Sequence, residues 1–412
     1  MRVRSVTVFV QPGPRPCGPC LRRAAALALA ARQALHQAGY PVQTLRWATP
    51  PFATLHPEPA AAVPWARALA QAAAAEGVDF VALGPAPPAH ADAWAVVPEM
   101  LAADARLFAA GHLVDAQGRI HPEAVHAAAR VIQSLASQEP RGFANLRFAA
   151  LAQVPPGTPF FPAAYAEEGH PEGWLGLALA VETPHLLHTV LDTADTWEAA
   201  FDALVTQLET HALRLEQALE PVLRASDAWW LGLDLSWAPY PEARASIAAA
   251  MERLGVPAVG AAGSLSLAAW LTAALQRARF PKTGFNGLML PVLEDPVLAQ
   301  RSAEGWLRVN DLLLYAAVCG VGLDTVPLPG DVSTEGLAAL LLDVATLAVR
   351  LDKPLVARLM PIPGARAGDP LEFDFPYFAA ARVLAWHSPG LKRGPQQPWA
   401  LPRWSPRPRP TI

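Results

Sequence analysis

Val3-Arg4-Ser5-Val6-Thr7-Val8-Phe9-Val10 alternates β-branched residues with other types, and Val78-Asp79-Phe80-Val81-Ala82-Leu83-Gly84 is a shorter, more continuously apolar run. Period-two alternation predicts a strand, and a short apolar run closed by Gly predicts a strand buried on both faces. Between them lie an Ala/Leu-rich helix over 21–38, stopped by Gly39, a strand over 42–48, and a helix over 63–76, stopped by Gly77. The order β-α-β-α-β is the mark of an α/β protein built on a parallel sheet. The rhythm continues outward. Helices are expected over 93–107, 121–137, 241–254, 264–278 and 312–319, with 191–226 mostly helical and including the long amphipathic stretch 197–223, and a further helix opened by Ser333 and running to 350. Strands are expected over 146–153, 174–181, 229–235, 321–326 and 355–360, with a short one over 287–291. Val154-Pro155-Pro156-Gly157-Thr158-Pro159-Phe160-Phe161-Pro162 is excluded from regular structure, because its prolines remove donors and fix φ.

Composition narrows the class. The chain has 412 residues, 52% hydrophobic and 17% charged, with 43 Pro, 3 Cys and a net charge of −4. A soluble chain averages about 25% charged residues, so the low charge and heavy Ala usage invite a membrane reading. That reading fails, because no run of about 18–20 apolar residues is uninterrupted. The stretch 24–31 is flanked by arginines, and 336–349 contains Asp343. Residues 1–10 alternate like a strand and 11–19 are rich in Pro and Gly, so a signal peptide is not expected and a cytoplasmic location is. The apolar content excludes a disordered chain, three Cys exclude a disulfide scaffold, and the charge gives no reason to expect nucleic acid. From 392 onward the chain carries Lys392, Arg393, Arg403, Arg407 and Arg409, no acid, and many prolines, which predicts an extended tail. The expected organisation is one domain over 1–391 and the tail over 392–412. A homodimer is the default expectation from base rates.

Chemistry-bearing residues fall into three groups. Cys17-Gly18-Pro19-Cys20 lies between the first strand and first helix, where a helix N-terminus lowers a thiol pKa. The motif matches the thioredoxin active site locally and supports a thiol-redox alternative. Carboxylates recur after apolar strands: Glu182, Asp234, Glu294 with Asp295, and Asp324. Ligands gather at strand carboxyl ends in α/β proteins, where acids can bind a cation or transfer protons. Each could equally cap the next helix. The third group is the segment Cys319 to Asp331, with a lone thiol, Gly320, Gly322, Asp324 and Asp331. His185 and His188 share a helix face, but a solvent face is the plainer reading. No nucleotide-binding glycine motif, nucleophile elbow or HExxH is present.

These segments carry a resemblance. The stretch 142–165, Leu233-Asp234-Leu235-Ser236-Trp237-Ala238-Pro239, GLMLPVLED at 287–295, YAAVCGVGLDTVPLPGD at 315–331 and 350–378 together resemble an uncharacterised bacterial and archaeal family, a domain of unknown function, labelled "PFL family proteins". The resemblance implies a fold like pyruvate formate-lyase and anaerobic ribonucleotide reductase: a barrel of two parallel half-barrels surrounded by helices. It does not bring the reaction, because the R-V-x-G-[FWY] radical loop is absent from this sequence and no glycyl radical is expected. Cys319 is the candidate counterpart of the thiyl-forming Cys. Fold alone does not set function. The expectation is a small-molecule site inside the barrel, with Cys319, Asp234 and Asp324 as catalytic candidates and Glu182, Glu294, Asp295, Asp331, Thr158 and Pro159 as ligand-binding candidates, with or without a divalent cation. The alternatives are a ligand sensor without turnover and redox chemistry at Cys17 and Cys20.

Overall fold

The computed structural model describes residues 1–403. Nine strands form one sheet: β1 Arg2–Val10, β2 Val42–Ala48, β3 Phe80–Ala86, β4 Leu107–His112, β5 Phe148–Ala152, β6 Leu175–Glu182, β7 Trp229–Asp234, β8 Gly322–Pro329 and β9 Leu355–Ile362. Their spatial order is β7-β6-β1-β2-β3-β4-β5-β9-β8. Strands β1 to β5 run parallel to one another, as do β6 with β7 and β8 with β9. The two groups meet antiparallel at β1·β6 and β5·β9. Two parallel half-sheets are thus set in opposite senses. The segment 282–291 bridges the two outer strands: Leu233 pairs with Lys282, Trp237 with Leu288, and Pro291 with Asp324, all parallel. The expected short strand over 287–291 is therefore the connection that joins the sheet's two edges into a ring.

Strand alternation sorts the side chains. On β1, Val6, Val8 and Val10 join the main core against the helices, while the Thr7 and Ser5 hydroxyls point inward to the Pro159 carbonyl, at 3.1 and 3.4 Å. Many inward positions elsewhere are small: Ala48, Ala82, Ala110, Ala149, Ala178 and Ala180. Small residues leave space inside the ring, and the 154–162 loop occupies part of it. The Ala content therefore serves the strand interior as well as the helices.

The helices of 20 residues over Gly18–Gln37, 15 over Pro122–Ala136, 30 over Trp197–Ser226 and 18 over Thr334–Leu351 cover the outside. Among the described residues no helix is long and apolar enough to cross a membrane. One expectation changes and two gain detail. Residues 93–107 are not one helix: short helices Ala91–Ala95 and Val97–Ala103 are followed by β4, a strand absent from the sequence reading. The stretch 191–226 contains a break, with one helix ending at Leu191 and the next starting at Trp197. Part of the tail pairs with the body: Trp399–Ala400 lies antiparallel to Arg119–Ile120, and Arg403 bonds Asp352 at 2.7 Å. Arg407 and Arg409 lie outside the described residues.

Candidate functional site

A cavity of about 460 Å³ lies inside the ring, lined by the amino-terminal parts of β1 to β5 and by Asp324 and Arg358 in the first halves of β8 and β9. Part of its wall is aromatic, with Phe80 and Phe108 from the strands, Phe160 and Phe161 from the 154–162 loop, and Phe375 and Tyr377 from the segment after β9. Charged side chains also reach it, and most of them are buried.

Four of these groups, with Glu182 behind them, form an alternating chain. Glu182 ends β6, opposite Arg2 in the register, and its Oε1 is 3.7 Å from Arg4. Arg4 sits where the β1·β6 register shifts, a bulge that re-aims its side chain, and it bonds Glu294. Glu294 follows the bridging segment and accepts from Arg358 Nη2 at 2.8 Å. Arg358, on β9, donates Nε to Asp324 on β8 at 2.5 Å. Burying an isolated charge costs several kcal/mol, so such groups persist only when paired. Burial works against the charges of Arg4 and Arg358, but their carboxylate partners outweigh it and raise both. Burial likewise opposes the Glu294 charge, yet Arg4 and Arg358 hold its carboxyl below the usual range. Glu182 goes the other way. Burial pushes it up, only partly offset by Arg4 and Arg2, and its Oε1 has no hydrogen-bond partner. Beside Asp324, Thr325 has φ 41°, an unusual conformation for a β-branched residue, and its buried hydroxyl is also unpartnered. One strained residue thus adjoins the ion network.

Arg46 differs from the other arginines. It projects from β2 into the same cavity and is 8% exposed. Its Nε donates to Thr44 Oγ1 at 2.8 Å, and its guanidinium stands over the Phe161 ring at 4.9 Å. Among the described residues no carboxylate lies within ion-pair distance of it. Burial, reinforced by the repulsion of Arg4, pulls its pKa down to about 9.

The sequence candidates divide. Glu294 and Asp324 line the cavity, with Glu182 behind Arg4. Asp234 does not: it is buried at the end of β7 and accepts from Ser236 Oγ at 2.5 Å, Phe285 N at 2.7 Å, and the Ser236 and Asn286 amides at 3.1 Å, holding the start of the bridging segment. Burial lifts its pKa to about 6 against those hydrogen bonds. Asp295 caps two helices at once, accepting from Ser246 Oγ, Ile247 N and Ala248 N on one side and Val297 N and Leu298 N on the other. Cys319 ends the helix Val309–Cys319 and packs in the main core. Asp331 lies exposed in the turn after β8. Thr158 bonds the Pro155 carbonyl at 2.9 Å, and the Pro159 carbonyl is taken by β1. Neither borders the cavity, although Phe160 to Ala163 of the same loop do.

Cys17 and Cys20 are free thiols. Cys20 is buried, and burial, with Cys17 and Glu172 beside it, pushes its pKa up to about 11, opposite to the lowering expected at a helix start. His188 is engaged through both ring nitrogens, at 2.9 Å from the Ser246 carbonyl and 3.2 Å from Arg253. Among the described residues no group of three His, Cys, Asp or Glu side chains is arranged to hold a metal ion. The arginines of the site escaped sequence reasoning. Their signal was a lone Arg inside an apolar strand, as in Leu45-Arg46-Trp47 and Ala357-Arg358-Leu359.

The chain matches the family described as "Uncharacterised ACR (DUF711)" over residues 1–377, a span that includes every cavity residue named above. A UPF0210 protein of Pyrobaculum arsenaticum is 39% identical over 259 residues, 61% of this chain and 56% of that protein. A UPF0210 protein of Desulforudis audaxviator is 32% identical over 326 residues, 75% of this chain and 71% of the relative. The chain spans little more than half the length of the Pyrobaculum relative. With the family match running through both half-sheets and the cavity they enclose, the chain belongs to the DUF711, or UPF0210, family of uncharacterised bacterial and archaeal proteins.

Proposed function

We propose that this protein takes a small molecule into the cavity inside the ring and acts on it by acid–base chemistry at Glu294 and Asp324. The observation that carries the reading is a cavity of about 460 Å³ whose floor is a buried, fixed ion network. That volume is in the range of small-molecule sites, which combine apolar walls with a few placed polar groups. Arg358 and Arg4 fix the carboxylate oxygens before any ligand arrives, the preorganisation that a proton transfer needs.

A second reading is binding without turnover, and one observation favours it: a carboxylate paired with two guanidinium groups, as Glu294 is, makes a weak base. One experiment separates the two. The full chain is purified and analysed by native mass spectrometry, and any carried compound is released and identified over time. Turnover predicts a compound that changes during incubation with the wild type and stays unchanged with Asp324→Asn. Binding alone predicts an unchanged compound in both. Ala149→Phe, which fills the cavity, should abolish retention in either case. Retention that survives Ala149→Phe would place the ligand elsewhere and end the proposal.

A further inference from the structure

We infer that the ligand of this cavity carries an anionic group, a carboxylate or phosphate, that pairs with Arg46, and an apolar or aromatic body that lies against the phenylalanines. The inference rests on the reading of the cavity as a small-molecule site and names the class of molecule it takes.

The argument is one of unbalanced charge. Each of the other cavity arginines has an acidic partner: Arg4 bonds Glu294, Arg358 bonds Asp324 and Glu294, and Arg147 bonds Glu139. Arg46 is only 8% exposed, yet among the described residues its side chain makes one hydrogen bond, from Nε to Thr44. Its two Nη atoms have no protein acceptor among the described residues, and they are not sealed off from the cavity. Asp79 faces it from the solvent-exposed rim but spends Oδ2 on the Leu45 amide at 2.8 Å, beyond ion-pair distance of Arg46. Arg4 and Arg358 repel the Arg46 charge, while Asp79 and Glu294 attract it without coming within ion-pair distance. A buried charge without a partner is costly, and the protein retains this one between two other arginines. The geometry left over is specific. With Nε tied to Thr44, the remaining donors are the paired Nη groups, the fork that meets a carboxylate or phosphate through two parallel hydrogen bonds. Phe161 at 4.9 Å and Phe80 at 5.8 Å hold the guanidinium plane and continue into the aromatic wall. An anion at the fork would place an attached ring or chain against those faces.

The test uses the full chain, three probes of equal size class and one variant. Benzoate and phenyl phosphate supply the two anions on one ring, and benzyl alcohol is the neutral control. Arg46→Met removes the charge and keeps most of the apolar stem. Without any probe, Arg46→Met should melt a few degrees above the wild type, because an unpaired buried charge has been removed. In calorimetry, at least one anion should bind the wild type, and Arg46→Met should weaken it by roughly tenfold or more, while benzyl alcohol binds both proteins alike. The preferred anion identifies carboxylate or phosphate as the source. If Arg46→Met melts below the wild type and still binds the anions equally, Arg46 is a structural residue and the inference falls. If benzyl alcohol binds the wild type at least as well as both anions, the inference falls while the cavity reading stands. If none of the three binds, both fall.

Discussion

Glu294 shows how one buried residue links folding and function. It is 3% exposed and shared by two guanidinium groups, so its charge is stabilising only while both remain beside it. Removing one partner of such a network costs roughly 3–5 kcal/mol, because the others are left uncompensated. Its carboxyl lies below its unfolded value of about 4.3. A group shifted that way contributes stability above the unfolded pKa and loses it as pH falls through the folded one. Glu294→Gln should therefore be less stable than the wild type near neutral pH, and the gap should narrow as pH falls through and below the ordinary glutamate range. Urea melts at stepped pH provide the check, and a gap that does not change would mean that Glu294 contributes shape rather than charge. The acids were legible in the sequence because they follow apolar runs. Their roles were not, since Asp234 and Asp295 follow such runs too and spend every oxygen on backbone amides and hydroxyls.

At the scale of an element, β4 is the instructive case. Leu107 closes the Ala-rich helix expected over 93–107, and the stretch Leu107-Phe108-Ala109-Ala110-Gly111-His112 has no β-branched residue to announce a strand. It is a strand because β3 and β5 pair with both its edges and each face is covered. Gly111 is there for space. A Cβ at that position would sit 2.2 Å from the ring of Trp94, a buried residue whose indole nitrogen bonds the Pro87 carbonyl at 2.9 Å. Gly111→Ala should lower the unfolding free energy by about 1–3 kcal/mol, the usual cost of overpacking. Chemical denaturation decides it, and a variant as stable as the wild type would mean that Trp94 swings aside. Where an element was announced by its own residues, as with the alternation of β1 or the Ser333 hydroxyl accepting the Gly336 amide at 3.0 Å, reading and structure agree. Where the neighbours decide, as for β4, they do not.

For the whole molecule, the decisive feature is closure. The segment 282–291 has too few sheet hydrogen bonds to be a long strand, yet it ties both outer edges together. Trp237 N donates to Gly287 O at 2.9 Å, Met289 N to Trp237 O at 3.2 Å and Leu288 N to Cys319 O at 3.1 Å. An open sheet would leave the edges of β7 and β8 exposed to pairing with other chains. In hydrogen exchange, the amides of Trp237, Leu288 and Met289 should be protected as strongly as those in the middle of β1, because opening the ring requires breaking the sheet. Fast exchange at these three amides would show two separable edges instead. Closure also makes the cavity: the 154–162 loop enters the ring, with Phe160 to Ala163 bordering the charged cavity while Val154 to Pro156 border a second one of about 630 Å³ at the opposite mouth. There His112 meets Tyr165 edge-on at 5.3 Å, and burial takes its pKa down to about 4.

The sequence by itself determined the α/β class, most of the strands and helices, and the family, because local alternation, glycine stops and contiguous motifs are properties of neighbouring residues. Only the tertiary structure decided which acids share a site and that arginines from β1, β2 and β9 complete it. Arg4 and Arg358 are more than 350 residues apart in the chain and meet only through Glu294. Charge pairing across a closed ring depends on which strands stand opposite one another, and strand order is set by packing over the whole chain rather than by any local run of residues.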